Sequence, residues 1–327
     1  MRKLAICMAA WLASILFITP PGYACVGARP MGMGGAFIAV ADDANTTYWN
    51  PAGLTQLEAS EFTCTPTLYN RDEYNYDDFV SLVIPLGVEE QSWGSLGFSF
   101  INSGTDPELD WGKNETIDRW FWLSGGIKIF DGLSLGANLR LRDYEEKIKI
   151  NTGWVVEGVA GPYSTSDEDS TFGVDLALFW KSGKFSFGIL WQDMNEPELE
   201  LFGAESKCKG NLRPGIAFRP DDKTVIALDM YDATGSTHGD ADDVSQDLRI
   251  GVERWFTEYF VLRAGVYHLN SDTDANKAVT FGAGLKELGE KGGIFSSGQL
   301  DYCLLYWIDP ASGASEFTHQ IGLSFRF

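Results

Sequence analysis

From about residue 60 to the end, the chain alternates apolar and polar side chains with a period of two. That period predicts strands, because alternate side chains of a strand face opposite sides. The clearest run is Leu133 to Arg142. It sets Leu133, Leu135, Ala137, Leu139 and Leu141 against Ser134, Gly136, Asn138, Arg140 and Arg142. The pattern returns at 172–181, 185–192, 248–253, 260–267 and 279–285. Weaker versions lie near 61–69, 78–87, 95–103, 119–130, 210–219, 223–231 and 298–307. With the last run, Ile321, Leu323, Phe325 and Phe327 against Gln320, Gly322, Ser324 and Arg326, this predicts about fourteen strands of roughly ten residues. The segment 28–54 fits neither a strand nor one long amphipathic helix.

The links between strands alternate in length. Phe130-Asp131-Gly132, Ser182-Gly183, Pro220-Asp221-Asp222 and Thr257-Glu258 read as tight turns. The stretches 104–118, 143–171, 193–209, 232–246 and 270–276 read as long polar loops. The link near 88–93 is intermediate, and 286–297 is long where a short turn is expected. Short turns at one end and long loops at the other are the connection pattern of a membrane-spanning barrel. In lipid, every backbone N–H and C=O must be paired within the protein, so a β-chain spans only as a closed barrel. The expected fold is therefore all-β, a closed antiparallel transmembrane barrel at 59–327.

The start of the chain supports export. Arg2 and Lys3 precede the apolar run Leu4–Ile18, Pro20, Pro21 and Gly22 break it, and Ala24 is a small residue at a cleavage position. This predicts a signal peptide at 1–24. About fifteen apolar residues are short for a membrane span. Cys25 follows the expected cut, but Gly22 stands where a lipidation signal carries Leu. The remaining cysteines, Cys64, Cys208 and Cys303, are widely spaced and form no CxxC pair, which gives zinc and thioredoxin chemistry no support.

Composition agrees with this picture. Aromatic residues make up 13% of the chain, and there are 36 Gly. A net charge of −21 removes nucleic acid as a partner, since phosphate binding needs a basic face. Much of the charge falls in the expected loops, including Asp167, Glu168, Asp169, Asp240, Asp242, Asp243, Asp272 and Asp274. A strand ending on a terminal Phe resembles the signal read by the outer-membrane barrel assembly machinery. The expected location is therefore the outer membrane of a Gram-negative-type bacterium, with outer-membrane lipid around the barrel.

The segment at 25–58 is then expected to fold back into the lumen as a short helical plug. Asp42 or Asp43 is placed to cap a helix running to Trp49. Asn50 is placed to cap a second, with Pro51 at its first position, where no N–H is missed. The residues Met31-Gly32-Met33-Gly34-Gly35-Ala36, Ala41-Asp42-Asp43-Ala44 and Tyr48-Trp49-Asn50-Pro51-Ala52-Gly53-Leu54 resemble the N-terminal hatch of the FadL-type (FadL/OmpP1) transporters. They are more similar still to the shorter PorV/PorQ-like members of that superfamily. The resemblance implies a fourteen-stranded barrel closed by a hatch whose motif residues are Gly32, Gly34, Gly35, Asp42, Asp43, Asn50, Pro51, Ala52 and Gly53. It implies passive transport of hydrophobic small molecules such as long-chain fatty acids. For the PorV-like members it implies instead a role with a secretion complex, and a structural barrel without cargo is the third reading.

No enzyme is expected. The three His, at 238, 268 and 319, form no metal-binding spacing, and there is no GxSxG elbow. Gly32-Met33-Gly34-Gly35 follows no strand and misplaces the third Gly of a dinucleotide loop. Asp240, Asp242 and Asp243 lack the Gly and Glu of a calcium loop. No cofactor or metal is expected. The polar phase of the strands places Asn138, Arg140, Arg142, Asp175, Lys181, Asp229, Arg249, Glu253 and Arg263 in the lumen as an ion-pair network. Trp120, Trp122, Phe130 and Phe179 are candidates to face inward, although 119–130 is apolar on both phases. Aromatic belts at the lipid interfaces are the alternative for them. Trp120, Trp122, Phe179, Arg140 and Arg263 are the candidate lining of a ligand path.

Overall fold

The structure, a computed structural model, describes residues 26–69, 75–87, 92–106, 108–156, 158–236, 246–269, 277–288, 296–308 and 315–327. The expected signal peptide, Cys25, His238 and the loop acids Asp240, Asp242, Asp243, Asp272 and Asp274 lie outside the described residues. Fourteen strands form one closed antiparallel barrel. They are β1 (Glu61–Thr65, continued after Pro66 as Thr67–Tyr69), β2 (Asn75–Leu86), β3 (Gly94–Thr105), β4 (Gly112–Phe130), β5 (Leu133–Ile150), β6 (Tyr163–Ser182) and β7 (Phe185–Gln192). The second half comprises β8 (Asn211–Asp221), β9 (Thr224–Tyr231), β10 (Asp247–Trp255), β11 (Phe260–Tyr267), β12 (Lys277–Leu288), β13 (Ser297–Ile308) and β14 (Ser315–Arg326). Each pairs with its sequence neighbour, and Glu61↔Arg326 through Cys64↔Leu323 close the ring between β1 and β14.

The two faces of the wall differ as the alternation requires. Leu135, Leu139, Leu141, Leu176, Phe187, Ile189, Leu228, Val252 and Phe281 are exposed on the outside. Asn138, Arg140, Arg142, Asp175, Asp229, Arg249, Glu253 and Arg263 are buried on the inside. Among the described residues, no helix is long and apolar enough to cross a membrane.

Three expectations need correction. The stretches 104–118 and 143–171 are largely strand: β4, β5 and β6 run for 19, 18 and 20 residues. They stay paired from Gly112↔Ile150 and Tyr163↔Ile150 down to the tight turns. At roughly 3.4 Å per residue, eight or so extra residues lift this sheet well beyond a lipid span. Above the lipid both faces meet water or polar loops, so Asp167, Glu168 and Asp169 lie within β6, in a stretch whose composition reads as loop. Lys181 is exposed at the turn end of β6, and Phe130 is exposed on the outside.

The seam between β8 and β9 is interrupted. Strands β8 and β9 pair from Gly215↔Asp229 to Phe218↔Ile226. Above that, no ladder pair joins Arg213 or Pro214 to β9, and contact resumes with the Ala233 N–H donating to the Leu212 carbonyl at 2.8 Å. Pro214 has no N–H to offer a neighbouring strand.

Candidate functional site: the segment inside the barrel

Residues 26–57 lie inside the ring and are almost wholly buried. Short helical pieces fit there because a piece that satisfies its own backbone does not compete for the wall's ladder. Helix α1 (Ala28–Gly32) leads to Gly34 and Gly35, whose φ values of 63° and 69° turn the chain where a side chain would be strained. Helix α2 (Thr46–Trp49) follows, then a 3-10 turn at Pro51–Gln56. Asn50 caps that turn as expected, its Oδ1 accepting the Ala52 N–H at 3.1 Å with Pro51 leading. The expected cap of α2 by Asp42 or Asp43 does not form. The N-cap position is Asn45, and Asp43 Oδ1 instead accepts the Asn45 N–H at 2.8 Å and its side-chain Nδ2 at 2.9 Å.

A chain of ion pairs ties this segment to the wall. The Arg29 Nη1 donates to Asp42 and Asp43 of its own segment, both at 2.8 Å. Its Nε and Nη2 grip Glu253 of β10 in a two-pronged pair at 2.8 and 2.9 Å. Glu253 also accepts Arg263 Nε of β11 at 2.7 Å, and Arg263 reaches Asp301 of β13 at 2.6 Å. Burial raises the Asp43 carboxyl above its usual range, against the pull of Arg29.

Side chains of the wall also hold the segment's backbone directly. Asp229 Oδ2 accepts the N–H groups of Phe37 and Ile38 at 2.6 and 2.7 Å. Asn138 Nδ2 donates to the Thr47 carbonyl at 3.0 Å, and Ser186 Oγ to the Ala39 carbonyl at 2.6 Å. Thr280 Oγ1 accepts the Gly34 N–H at 3.0 Å. In return, Asn50 Nδ2 donates to the Leu178 carbonyl of β6 at 3.1 Å as well as to Ile38 within the segment at 2.9 Å. Removing the carboxylate in Asp229→Ala leaves two buried N–H groups without an acceptor. At about 1–3 kcal/mol for each unsatisfied group, the variant is expected to loosen the segment. Hydrogen exchange at Phe37 and Ile38 should rise by orders of magnitude, with that of the β9 ladder little changed.

Glycines on the inner phase of the wall let the segment approach backbone to backbone. A Cβ on Gly136 of β5 would lie 2.7 Å from the Ala52 Cα, and one on its ladder partner Gly126 would lie 2.6 Å from the Pro51 carbonyl oxygen. On the far wall, a Cβ on Gly251 would sit 2.9 Å from the Met33 Cα. The alternation placed Gly136 and Gly251 on the polar phase, left Gly126 unassigned, and gave no sign of what any of them contacts.

On the long-loop side of the segment, arginines and aromatic rings interleave. Trp120 and Trp122 stack at 5.4 Å and 24°, with Arg140 4.9 Å and Arg142 4.6 Å from the Trp120 ring. Both tryptophans thus face inward, which sets aside an interface-belt role for them. Arg140 pairs with Asp175 at 3.0 Å and with Asp193, and Arg142 with Asp118 at 2.8 Å. Arg213, at the interrupted seam, lies over Tyr48, Trp49 and Tyr231 at 5.8, 5.3 and 5.0 Å. Phe179 is buried lower down in a cluster with Phe37, Ile38 and Trp49 of the segment. The structure therefore brings Arg263 to the ion-pair chain, Arg140, Trp120 and Trp122 to the stacked layer, and Phe179 to the segment itself. Cys64 and Cys208 are free thiols, and the described residues hold no group of three or more His, Cys, Asp or Glu that could bind a metal.

No protein-family model and no curated protein matches the sequence. Among solved structures, the CymD monoaromatic hydrocarbon channel aligns over 93% of this chain and 98% of its own, at 16% identity and a TM-score of 0.65. The Pseudomonas putida toluene transporter TodX aligns over 92% and 97%, at 14% identity and a TM-score of 0.62. A Pseudomonas aeruginosa FadL homologue aligns over 92% and 96%, at 12% identity and a TM-score of 0.54. At these identities the likeness is one of architecture, and the chain has the barrel fold of the FadL-type channels.

Proposed function

We propose that the protein is an outer-membrane conduit of the FadL-type superfamily that passes hydrophobic small molecules without energy input, with residues 26–57 as its hatch. The carrying observation is the seat itself. A barrel with an apolar outside is filled by a segment held through non-covalent polar contacts, with Arg29 and Glu253 as its main ionic latch. Such a seat closes the lumen and can be released without breaking the wall. The fold likeness to a monoaromatic hydrocarbon channel and a toluene transporter supports a hydrophobic cargo. The interrupted ladder at Pro214, beside the Arg213 stack, is a place where an uncharged molecule could leave sideways into lipid. Fold alone does not assign cargo, so a direct test is needed. Proteoliposomes carrying the intact protein should take up a fluorescent fatty acid or a small aromatic hydrocarbon faster than protein-free vesicles, and Arg29→Ala should speed that uptake further. Equal uptake in all three would end this reading.

The placement nearer the PorV/PorQ-like members is carried only by the opening motif. One observation favours their kind of role as a second reading. The raised β4–β6 sheet ends in a hairpin whose Trp154 and Val155 are 45% and 65% exposed, far from any lipid belt. An aromatic tip of this kind suits contact with a secretion or envelope partner. If that role is correct, Trp154→Ala should abolish co-purification of the partner while leaving uptake unchanged.

A further inference from the structure

Strand β6 outruns one of its neighbours. The uppermost rung it shares with β7 is Leu176↔Trp191, whereas its ladder with β5 continues to Tyr163↔Ile150. Among the described residues, no strand pairs with the β7-side edge of β6 from Tyr163 to Thr171. The backbone groups on that edge can be identified. The Val174 carbonyl accepts the Met194 N–H at 2.9 Å, and Asn195 bridges the Val174 N–H and the Phe172 carbonyl at 2.8 and 2.7 Å. Alternate residues of an antiparallel strand present their N–H and C=O to the same side, so Ser164, Ser166, Glu168 and Ser170 face this edge too. All four are exposed. A small hairpin, Glu198–Leu201 with Ala204–Lys207, stands beside the edge without joining its ladder. Two aspartates keep it there. Asp169 accepts the Ser170 N–H at 2.8 Å with one oxygen and the Glu200 N–H at 2.7 Å with the other. Asp167 does the same for Glu168 at 3.1 Å and Phe202 at 2.6 Å. The hairpin is poorly matched to that seat. Its Lys207 serves Glu196 and Glu198, while Glu200 and Glu205 stand opposite each other in its ladder, exposed and without a cation among the described residues. Like charges directly opposite are destabilising.

We propose that the upper edge of β6 takes up an extended, lysine- or arginine-rich segment of a partner protein as an added strand, with the hairpin as its placeholder. An open row of N–H and C=O groups is a template for another chain. Ser164 and Ser166 offer theirs directly. Displacing the hairpin breaks only its bonds to Asp167 and Asp169, and no rung of the wall is lost. It also frees one oxygen of each carboxylate for an incoming cation. Charge selects the occupant: Asp167, Glu168, Asp169, Glu200 and Glu205 favour a basic strand, and a second copy of a chain carrying a net charge of −21 is repelled. The inference rests on the second reading above only in needing a partner beyond the lipid. Trp154→Ala leaves these backbone groups intact, so the two fail separately.

The probe is a peptide of alternating Lys and Val, added to the full-length protein in neutral detergent. Hydrogen exchange at the Ser164, Ser166 and Ser170 amides should slow by an order of magnitude or more, because those N–H groups enter a ladder. The matching Glu and Val peptide should leave exchange unchanged. So should a Lys and Val peptide with methylated backbone nitrogens, which keeps the charge but cannot pair. Ser166→Pro removes one donor on the open edge without touching the ladder to β5. That variant should migrate as a folded barrel before boiling and bind the basic peptide at least an order of magnitude more weakly. Binding of the basic peptide with no slowing at these amides would overturn the proposal, as would equal binding of the methylated peptide or undiminished binding by Ser166→Pro.

Discussion

A chain lacking residues 28–54 is expected to form an open pore. In planar bilayers its conductance should exceed that of the intact protein by an order of magnitude or more. The wall does not need the segment for its ladder, since all fourteen strands pair with one another and β1 closes on β14. Emptying the lumen exposes a lining of small groups, among them Ser81, Ser99, Gly126, Ser134, Gly136, Ser186 and Thr280, which now face the segment. Water can hydrate these groups, while Phe179, Leu190, Val83 and Leu305 would be uncovered beside them. The cost falls on Glu253 and Arg263, which lose Arg29 but keep each other at 2.7 Å. An equally quiet membrane with the deletion variant, once its folding is confirmed by heat-modifiable migration, would show that something other than the segment closes the barrel.

The second large effect is expected from one glycine. In Gly136→Leu the side chain projects into the backbone of Pro51–Ala52, and its first carbon already lies 2.7 Å from the Ala52 Cα. That backbone cannot step aside. Asn50 fixes it to Leu178 on one side and to Ile38 on the other, and Thr55 meets Ser134 at 2.7 Å. Overpacking a tight interior costs about 1–3 kcal/mol even where neighbours are side chains, and here the neighbour is main chain. The variant should keep its barrel and lose the seat, giving a rise in conductance close to that of the deletion. Gly125→Leu is the matched control, because a Cβ there meets only Leu96 at 3.9 Å, on the outside. Equal behaviour of the two variants would mean that the inner glycines do not set the fit.

The sequence and the structure part company where the solvent changes. Within the lipid span one face must be apolar, so runs such as Leu133–Leu141 and Phe185–Trp191 show their strands plainly. Above the lipid that demand ends. Lys147-Ile148-Lys149-Ile150 and Ser164 to Ser170 are strands whose composition is that of a loop, and only the long ladders of β5 with β4 and with β6 reveal them. The inner face was legible as polar, but not its contacts. Asp229 acts on two backbone N–H groups, and any residue type supplies those. Arg29 was overlooked because a lone arginine beside a signal peptide carries no pattern of its own. Asn50-Pro51 could be read because its chemistry is local: a cap and the ring that follows it.

Glu61 joins three distant parts of the chain. One carboxylate oxygen accepts the Ala44 N–H of the segment at 2.9 Å, and the other accepts Arg326 of the last strand at 2.6 Å. Glu61 and Arg326 are 265 residues apart, and their strands form the seam that closes the ring. Without β14, Glu61 lacks its Arg326 partner. The final strand therefore completes two things at once, the circle and the floor beneath the segment. A barrel halted one strand short would have neither, which makes an unfinished molecule chemically distinct from a finished, closed one.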